Sequence, residues 1–307
     1  MKGDGPSNRG IALLLVLWAL VLLGTLALGF SWSMRTEAMA ARNGIDETRA
    51  YFQARTGVSR AVALLASLPA DNVLAESIAG EDGDASYEVR IESESGKVDV
   101  NTVGEEVLLE ILRKGGLPEE EAETVRDAIL DWRDEDDVSR PRGAERAEYG
   151  RMTEPISPRD GKIRGIGELM HVKAVTREFH DAFLSRVFTA HGKSTQLNFL
   201  RAPEIVLRSL PGVSDEAADR ILEGRRKEQP ISAADLAPMV GEGLLTAQGL
   251  ALLSGGSSSN AYTIIATGRA GNDVTRIVRC LVEVSGAGEK KVKMLAWLDK
   301  APREEDG

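Results

Sequence analysis

Between Ile11 and Met34 the chain carries no charged side chain. A run of that length, rich in leucine, valine and alanine, spans the hydrocarbon core of a bilayer as a helix. A secretory signal places a small-residue cleavage site after its apolar core, and the match to that pattern is poor. The one glycine placed for a cut, Gly10, precedes the core. Lys2 and Arg9 lie before the run, which keeps the leader cytoplasmic and puts the bulk of the chain outside the cytoplasmic membrane; Arg35 on the far side weakens that asymmetry.

A polar leader ending in Asn8-Arg9-Gly10 and opening into Ile11 resembles the leader of type IV prepilins. The resemblance implies a cut by prepilin peptidase between Gly10 and Ile11, with Ile11 as the new, N-methylated amino terminus. Two departures matter: Ile11 stands where that family usually has Phe, and Leu15 occupies the fifth mature position, commonly Glu. A carboxylate in hydrocarbon is expensive unless partnered, and in a filament that Glu pairs with a neighbour's terminal amine. A subunit lacking it suits a place without such a partner, the end of a filament. A simple signal anchor with a chance glycine is the other reading of these residues.

Past the span there is no proline from Arg35 to Leu68, and helix formers dominate despite Gly44 and Gly57. Ile45, Tyr51, Phe52, Val58, Val62 and Leu65 fall near a 3.6-residue stripe. The pattern predicts one helix of about 55 residues, roughly 85 Å long, its second half laid on a soluble domain and broken at Leu68-Pro69. Alternation over Ser86–Glu92 predicts a half-buried strand, turned at Ser95-Gly96 into Lys97–Val100. Ala261–Gly268, Val274–Val284 and Lys291–Leu298 read as further strands, with a turn at Gly271-Asn272-Asp273. The intervening stretch is helical in pattern. The expected fold is α+β: a pilin-like long N-terminal helix on a small antiparallel sheet, with a large inserted helical domain. The segments are a leader at 1–10, a membrane helix at 11–34, the rest of the helix and first strands at 35–100, the insert at 101–253, and C-terminal strands at 254–307.

Within the insert, Val98–Thr102 before Glu105–Leu112 resembles Gln196–Phe199 before Ala202–Leu210. The second continues through Pro211-Gly212-Val213-Ser214 into Asp215–Leu222, the pattern of a helix-hairpin-helix, with Gly212 for the turn and Ser214 or Asp215 as cap. DNA-binding hairpins usually carry a second glycine and nearby lysines; here Ser214 replaces that glycine and Asp215, Glu216 and Asp219 surround the turn. The protein-packing reading is favoured. Arg225, Arg226 and Lys227 read as a solvated helix end.

Between the two stretches lies Leu130-Asp131-Trp132-Arg133-Asp134-Glu135-Asp136-Asp137-Val138. Asp134 and Asp136 have the alternate spacing of a calcium loop, and Glu145 falls at its twelfth position, but the sixth is Ser139 rather than glycine. The spacing therefore fits an EF-hand poorly. A looser oxygen cage remains, since hard cations take several oxygen ligands from flexible loops and Glu145 and Glu148 can fold back on the aspartates. The other reading is a solvated acidic turn neutralised by Arg133, Arg140, Arg142 and Arg146.

Together these features are similar to the general secretion pathway protein K family, the large minor pseudopilins of type II secretion. They are the leader without a fifth-position Glu, the long helix, the Val100-Asn101-Thr102 hairpin, the Leu-Asp-Trp-x-Asp-x-Asp segment, and Gly143-Ala144-Glu145. Arg159-Asp160-Gly161, Ile166-Gly167-Glu168-Leu169 and Val172–Thr176 extend the match, with Ala174 where that family often has glycine. The resemblance implies a tip subunit of the secretion pseudopilus in the inner membrane, its soluble part periplasmic, binding other minor pseudopilins through its N-terminal helix. It also implies calcium held in the insert, for which Asp131, Asp134, Asp136, Glu145 and Glu148 are the candidate ligands.

Other classes fit poorly. Gly192-Lys193-Ser194 ends like a phosphate loop, but the required earlier glycine is Val187. His171, His180 and His191 are too widely spaced for a helix-borne zinc pair and read as ordinary surface or interface residues. No nucleophile–base pair is evident, so no enzyme is expected. A lone Cys280 precludes an internal disulfide. The alternative is a membrane-anchored helix-hairpin-helix DNA receptor of the competence type; a net charge of -10 argues against nucleic acid. Mass spectrometry of the mature protein should find methylated Ile11 at its amino terminus, and an intact leader in a host with active prepilin peptidase would count against the leader reading.

Overall fold

The computed structural model describes residues 9–69, 78–152, 155–226, 231–256, 259–271, 274–286 and 290–299. Residues 1–8 of the leader, Lys227, and the turn residues Asn272 and Asp273 lie outside them. Helix α1 runs unbroken from Arg9 to Ser67, 59 residues. That is about 90 Å at 1.5 Å per residue. The last helical bond is Leu68 N to Leu64 O at 2.8 Å. Pro69 follows, with no N–H to continue the ladder.

Side chains 12–45 of α1 are all exposed. Burial begins at Ala50 and follows Ala54, Val58, Ala61 and Leu65, one stripe at helical spacing. This corrects the expected stripe: Ile45 and Phe52 are 60% and 54% exposed. The reason is distance. The helix crosses the sheet so closely that a Cβ on Gly268 would stand 1.9 Å from the carbonyl oxygen of Ala50, so only small side chains fit at the crossing.

The sheet beneath α1 has five antiparallel strands: β1 (Ile78–Asp82), β2 (Ala85–Ser93), β7 (Ala261–Ala270), β8 (Val274–Ser285) and β9 (Lys291–Leu298), in the order β1-β2-β7-β8-β9. Alternation sets which face is buried: Ile264, Ala266, Val278, Cys280 and Val282 are fully buried in the core beneath α1. Burial in that core pushes the Cys280 thiol up to about 11. A bulge between Leu281 and Val282 shifts the β8–β9 register. Strand β1 had no counterpart in the sequence reading.

β2 and β7 are neighbours in the sheet, and the residues between them build a second core of their own from Val98 to Leu253. Its main helices are α2 (Glu105–Lys114), α3 (Glu119–Arg133), α4 (Arg146–Tyr149), α5 (Glu204–Ser209), α6 (Asp215–Gly224), α7 (Leu236–Gly241) and α8 (Ala247–Leu252). Lys97–Val100 does not join the large sheet as expected. β3 (Val98–Asp99) pairs in parallel with β4 (Phe188–Thr189), and β5 (Leu197–Asn198) pairs likewise with β6 (Leu253–Ser254). The β2 chain leaves the sheet through a short 3-10 turn at Glu94–Gly96. Buried there, Glu94 accepts from Lys97 Nζ at 3.0 Å and from Thr263 Oγ1 of β7 at 2.7 Å, tying the second core to the sheet.

The two stretches that resemble each other in sequence share one hydrogen-bonding plan. Asp99 and Asn198 each accept, through Oδ1, the N–H two residues on, at 2.8 and 2.9 Å. Arg133 donates to the carbonyls of Val100 and Val103; Arg225 donates to those of Phe199 and Ala202. Arg225 is therefore no solvated helix end, because its guanidinium holds the turn that opens its own unit. His180 likewise is buried, its Nε2 3.1 Å from the carbonyl oxygen of Ile166.

Ala174 has φ +66°. For an L-residue with a Cβ this costs about 1–2 kcal/mol, whereas glycine loses about 0.5–1 kcal/mol more backbone entropy on folding. Ala174→Gly is expected to stabilise the protein by about 0.5–1 kcal/mol, read as a higher denaturant midpoint at unchanged m-value.

Candidate metal centre

The acidic segment begins on α3. Its buried face presents Asp127 and Asp131, one helical turn apart and 2% and 0% exposed. Both reach the loop that follows rather than solvent. Asp127 Oδ2 accepts from Arg142 N at 3.2 Å, and Asp131 Oδ2 accepts from Arg140 N at 3.1 Å. A Cβ at position 143 would lie 1.9 Å from Asp131 Oδ2, so glycine there is what lets the loop close over the carboxylate. Lys173 Nζ ties the far side, donating to Gly143 O at 2.8 Å, and its backbone N–H donates to Tyr149 Oη at 3.1 Å. Trp132 and Tyr149 meet edge to face at 5.1 Å beneath the loop. Burial holds the Tyr149 hydroxyl up at about 12.

Three of the five candidate ligands come together: Asp134, Asp136 and Glu145 each offer a carboxylate oxygen, all within 4.8 Å of one another. Asp134 is the C-cap of α3, its N–H donating to Leu130 O at 3.1 Å. Asp136 Oδ1 accepts from Val138 N at 2.9 Å and so shapes its own turn. Glu145 is the N-cap residue of α4 and only 3% exposed. Both its carboxylate oxygens are buried without a hydrogen-bond donor, as are Asp134 Oδ1 and Asp160 Oδ1.

The other two are engaged differently. Asp131 receives Arg140 Nη1 at 2.6 Å in addition to the Arg140 N–H. Glu148 accepts from Glu145 N at 3.0 Å, the reach-back contact of a capping box, and hydrogen bonds from the backbone hold its carboxyl below the usual range. Asp160 is the residue the sequence reading passed over. It sits at φ +49° before Gly161, and its second oxygen takes Arg146 Nη2. The Asp-Gly pair was the available signal, since Asp tolerates this backbone region and such pairs mark sharp turns.

The arginines expected to neutralise the segment mostly do not. Arg133 turns back to the carbonyls of Val100 and Val103, and Arg142 pairs with Glu123 at 3.0 Å. Arg146 meets Asp160, and Arg140 alone reaches the aspartates at 131 and 134. Buried carboxylate oxygens lacking donors are costly. Burial, then the charges of Asp131, Asp134 and Asp160, push the Glu145 carboxyl up to about 7. The donor set is all oxygen and clustered on a loop, which is what calcium takes; the residues present fit that ion.

The second sequence candidate, the hairpin before α6, is closed by protein. Gly212 is at φ +71°, and its carbonyl accepts from Thr246 N at 2.8 Å. Ser214 N donates to Leu244 O at 3.1 Å, while its hydroxyl caps α6 by accepting from Ala217 N. Lys114 Nζ donates to Leu210 O at 2.7 Å. The turn's backbone groups and the nearest lysine are thus spent within the fold.

Raised above its unfolded value, Glu145 keeps its proton in the folded state to about pH 7, while the unfolded chain releases it at lower pH. In calcium-free protein the ionised buried group opposes folding above that pH, and the penalty disappears as pH falls toward the unfolded value. Glu145→Gln should therefore stabilise the chelator-treated protein at about pH 8 by on the order of 1–3 kcal/mol, read as a higher melting temperature, with little change at about pH 5. Thermal melts at the two pH values check the difference.

Residues 89–190, which hold most of β2, α2, α3, the acidic loop and β4, match the family model for type II secretion system (T2SS), protein K. No curated protein matches the chain. In overall shape it is similar to a chain of the crystal structure of the GspK-GspI-GspJ complex from the enterotoxigenic Escherichia coli type 2 secretion system. The TM-score is 0.60 at 14% identity, covering 88% of this chain and 99% of that one. At that identity the likeness establishes the fold, a long N-terminal helix on an antiparallel sheet with a helical body beside it. The family match falls on the segment that builds the acidic loop, and over residues 89–190 the chain is similar to protein K of the type II secretion system.

Proposed function

We propose that this protein is a minor pseudopilin that caps the tip of the type II secretion pseudopilus, where it supports pseudopilus initiation and protein export. The observation that carries the reading is the placement of the body between β2 and β7. It adds a second core about as large as a small domain beside a helix whose exposed stretch, residues 12–45, is the part available to neighbours. A head of that bulk opposes repeated stacking along a thin filament. Leu15 in place of a carboxylate removes the partner that an internal subunit offers its neighbour's amine.

In this reading the leader is cut by prepilin peptidase between Gly10 and Ile11 and Ile11 is methylated. The helix stays in the inner membrane, and residues from about 35 onward lie in the periplasm, divided as 35–100, 101–253 and 254–307. Partners are other minor pseudopilins, bound through α1. The exposed Met39, Ile45 and Phe52 recur along α1 at six- and seven-residue steps, a spacing suited to a neighbouring helix. The solved complex similar to this chain contains two further pseudopilins by its title. The paired units around α2–α3 and α5–α6 are helix-hairpin-helix-like modules used for internal packing.

Calcium completes the account. Asp134, Asp136 and Glu145 would hold it, Asp160 Oδ1 would add a fourth carboxylate, Glu148 would orient Glu145 through its cap, and Asp131 would fix the loop. The ion supplies positive charge to oxygens that have no donor. Because it binds the folded state, added calcium should raise the melting temperature, and chelator should lower it. Asp136→Ala should abolish that shift while leaving α1 and the five-stranded sheet intact by circular dichroism. Magnesium, which prefers a tighter six-coordinate shell, should substitute poorly. Counting copies per pseudopilus tests position: one copy is expected, and many evenly spaced copies would defeat the tip reading.

A further inference from the structure

We propose that Arg140 is a built-in cation of the acidic loop, a positioning residue that fills one half of the carboxylate cluster and limits the loop to a single exchangeable calcium ion. The inference rests on the calcium reading above and concerns what this chain's own residues do to it. One guanidinium nitrogen, Nη1, donates to Asp131 Oδ1 at 2.6 Å and to Asp134 Oδ2 at 2.7 Å. One nitrogen of a positively charged group thus bridges two carboxylates, a position a bridging metal ion would otherwise fill. The backbone N–H of the same residue donates to Asp131 Oδ2 at 3.1 Å, and Ser139 Oγ approaches that oxygen at 3.5 Å. Asp131, fully buried, therefore has both oxygens satisfied by residues 139 and 140.

Asp134 divides the cluster. Its Oδ2 belongs to Arg140, whereas its Oδ1 is buried without a donor, as are both oxygens of Glu145, which is 3% exposed, and one Asp134 oxygen lies within 4.8 Å of oxygens of Asp136 and Glu145. On the arginine side the oxygens are satisfied; on the Glu145 side they are not. The pairing also fixes the rotation of the Asp134 carboxylate, presenting one oxygen to a metal. Asp134 thus contributes one ligand atom instead of two. Arginine suits this role because its charge is permanent and its donors are fixed in a plane.

Removing the guanidinium leaves Asp131 buried and charged with too few donors, a situation that recruits a cation. Calcium binding to the detergent-solubilised full chain, measured by calorimetry and equilibrium dialysis, tests the proposal. The wild-type protein should take one calcium per chain. Arg140→Ala should take two, and in chelator it should melt several degrees below wild type, a deficit that calcium restores. Arg140→Lys, which keeps a positive charge between the aspartates, should return the count to one. Two calcium ions in the wild type, or one in Arg140→Ala with unchanged melting in chelator, would overturn the role of Arg140 and leave the calcium reading standing. Absence of binding in wild type and variant alike would overturn both.

Discussion

The whole fold hangs on one helix, apolar and exposed in its first half and packed on a sheet in its second. Helix α1 passes from an uncharged stretch suited to hydrocarbon into the core of a soluble domain without a break. The apolar half, exposed all round, has the length and composition of a membrane span. The second half has to make a narrow contact, and it does so with alanine. Ala50, Ala54 and Ala61 let β7 approach until Gly268 lies against the helix backbone. Close approach then fixes the tilt of the sheet, and the sheet fixes everything attached to it.

The helical body is attached at a few buried points, and polar groups define them. Glu94 and Lys97 form an ion pair at 3.0 Å just where the chain leaves β2, with Thr263 of β7 as a further donor. A buried pair of this kind adds little net stability over an apolar contact, but breaking it is costly because one charge is left behind. Its effect is to define one arrangement of body on sheet. The acidic loop repeats the theme farther out. Asp127 and Asp131 hold loop backbone, Arg140 balances part of the charge, and the oxygens around Glu145 remain without donors.

How much of this the sequence carried depends on the strength of the local signal. The uncharged run to Met34, the proline that ends α1, the alternation in β2 and the turn-bounded strands β7 to β9 are each strong patterns and appear as read. The packing stripe of α1 is not the one its large apolar side chains suggest, since Ile45 and Phe52 are exposed. The true contact uses alanines, whose periodicity is hidden among the other alanines of that helix. Strand β1, Ile-Ala-Gly-Glu-Asp over residues 78–82, has almost no alternation and exists through its pairing with β2. The two-residue parallel pairs depend on partners about 90 and 56 residues away, which no local window includes. At the acidic loop, spacing found Asp134, Asp136 and Glu145 but could not separate a ligand from a cap at Glu148, or from a loop anchor at Asp131. Asp160 enters from a different part of the chain.

If the protein works as proposed, the exposed face of α1 around Phe52 is where it meets other pseudopilins. The most direct test is site-specific photo-crosslinking in intact cells from Phe52, which is 54% exposed, against a control at Arg60, also exposed on α1. Crosslinks are expected from position 52 to other pseudopilins, at their expected masses, that vanish when the secretion system's other minor pseudopilins are deleted. Crosslinks only to a second copy of this chain, or equal yields from both positions, would contradict it.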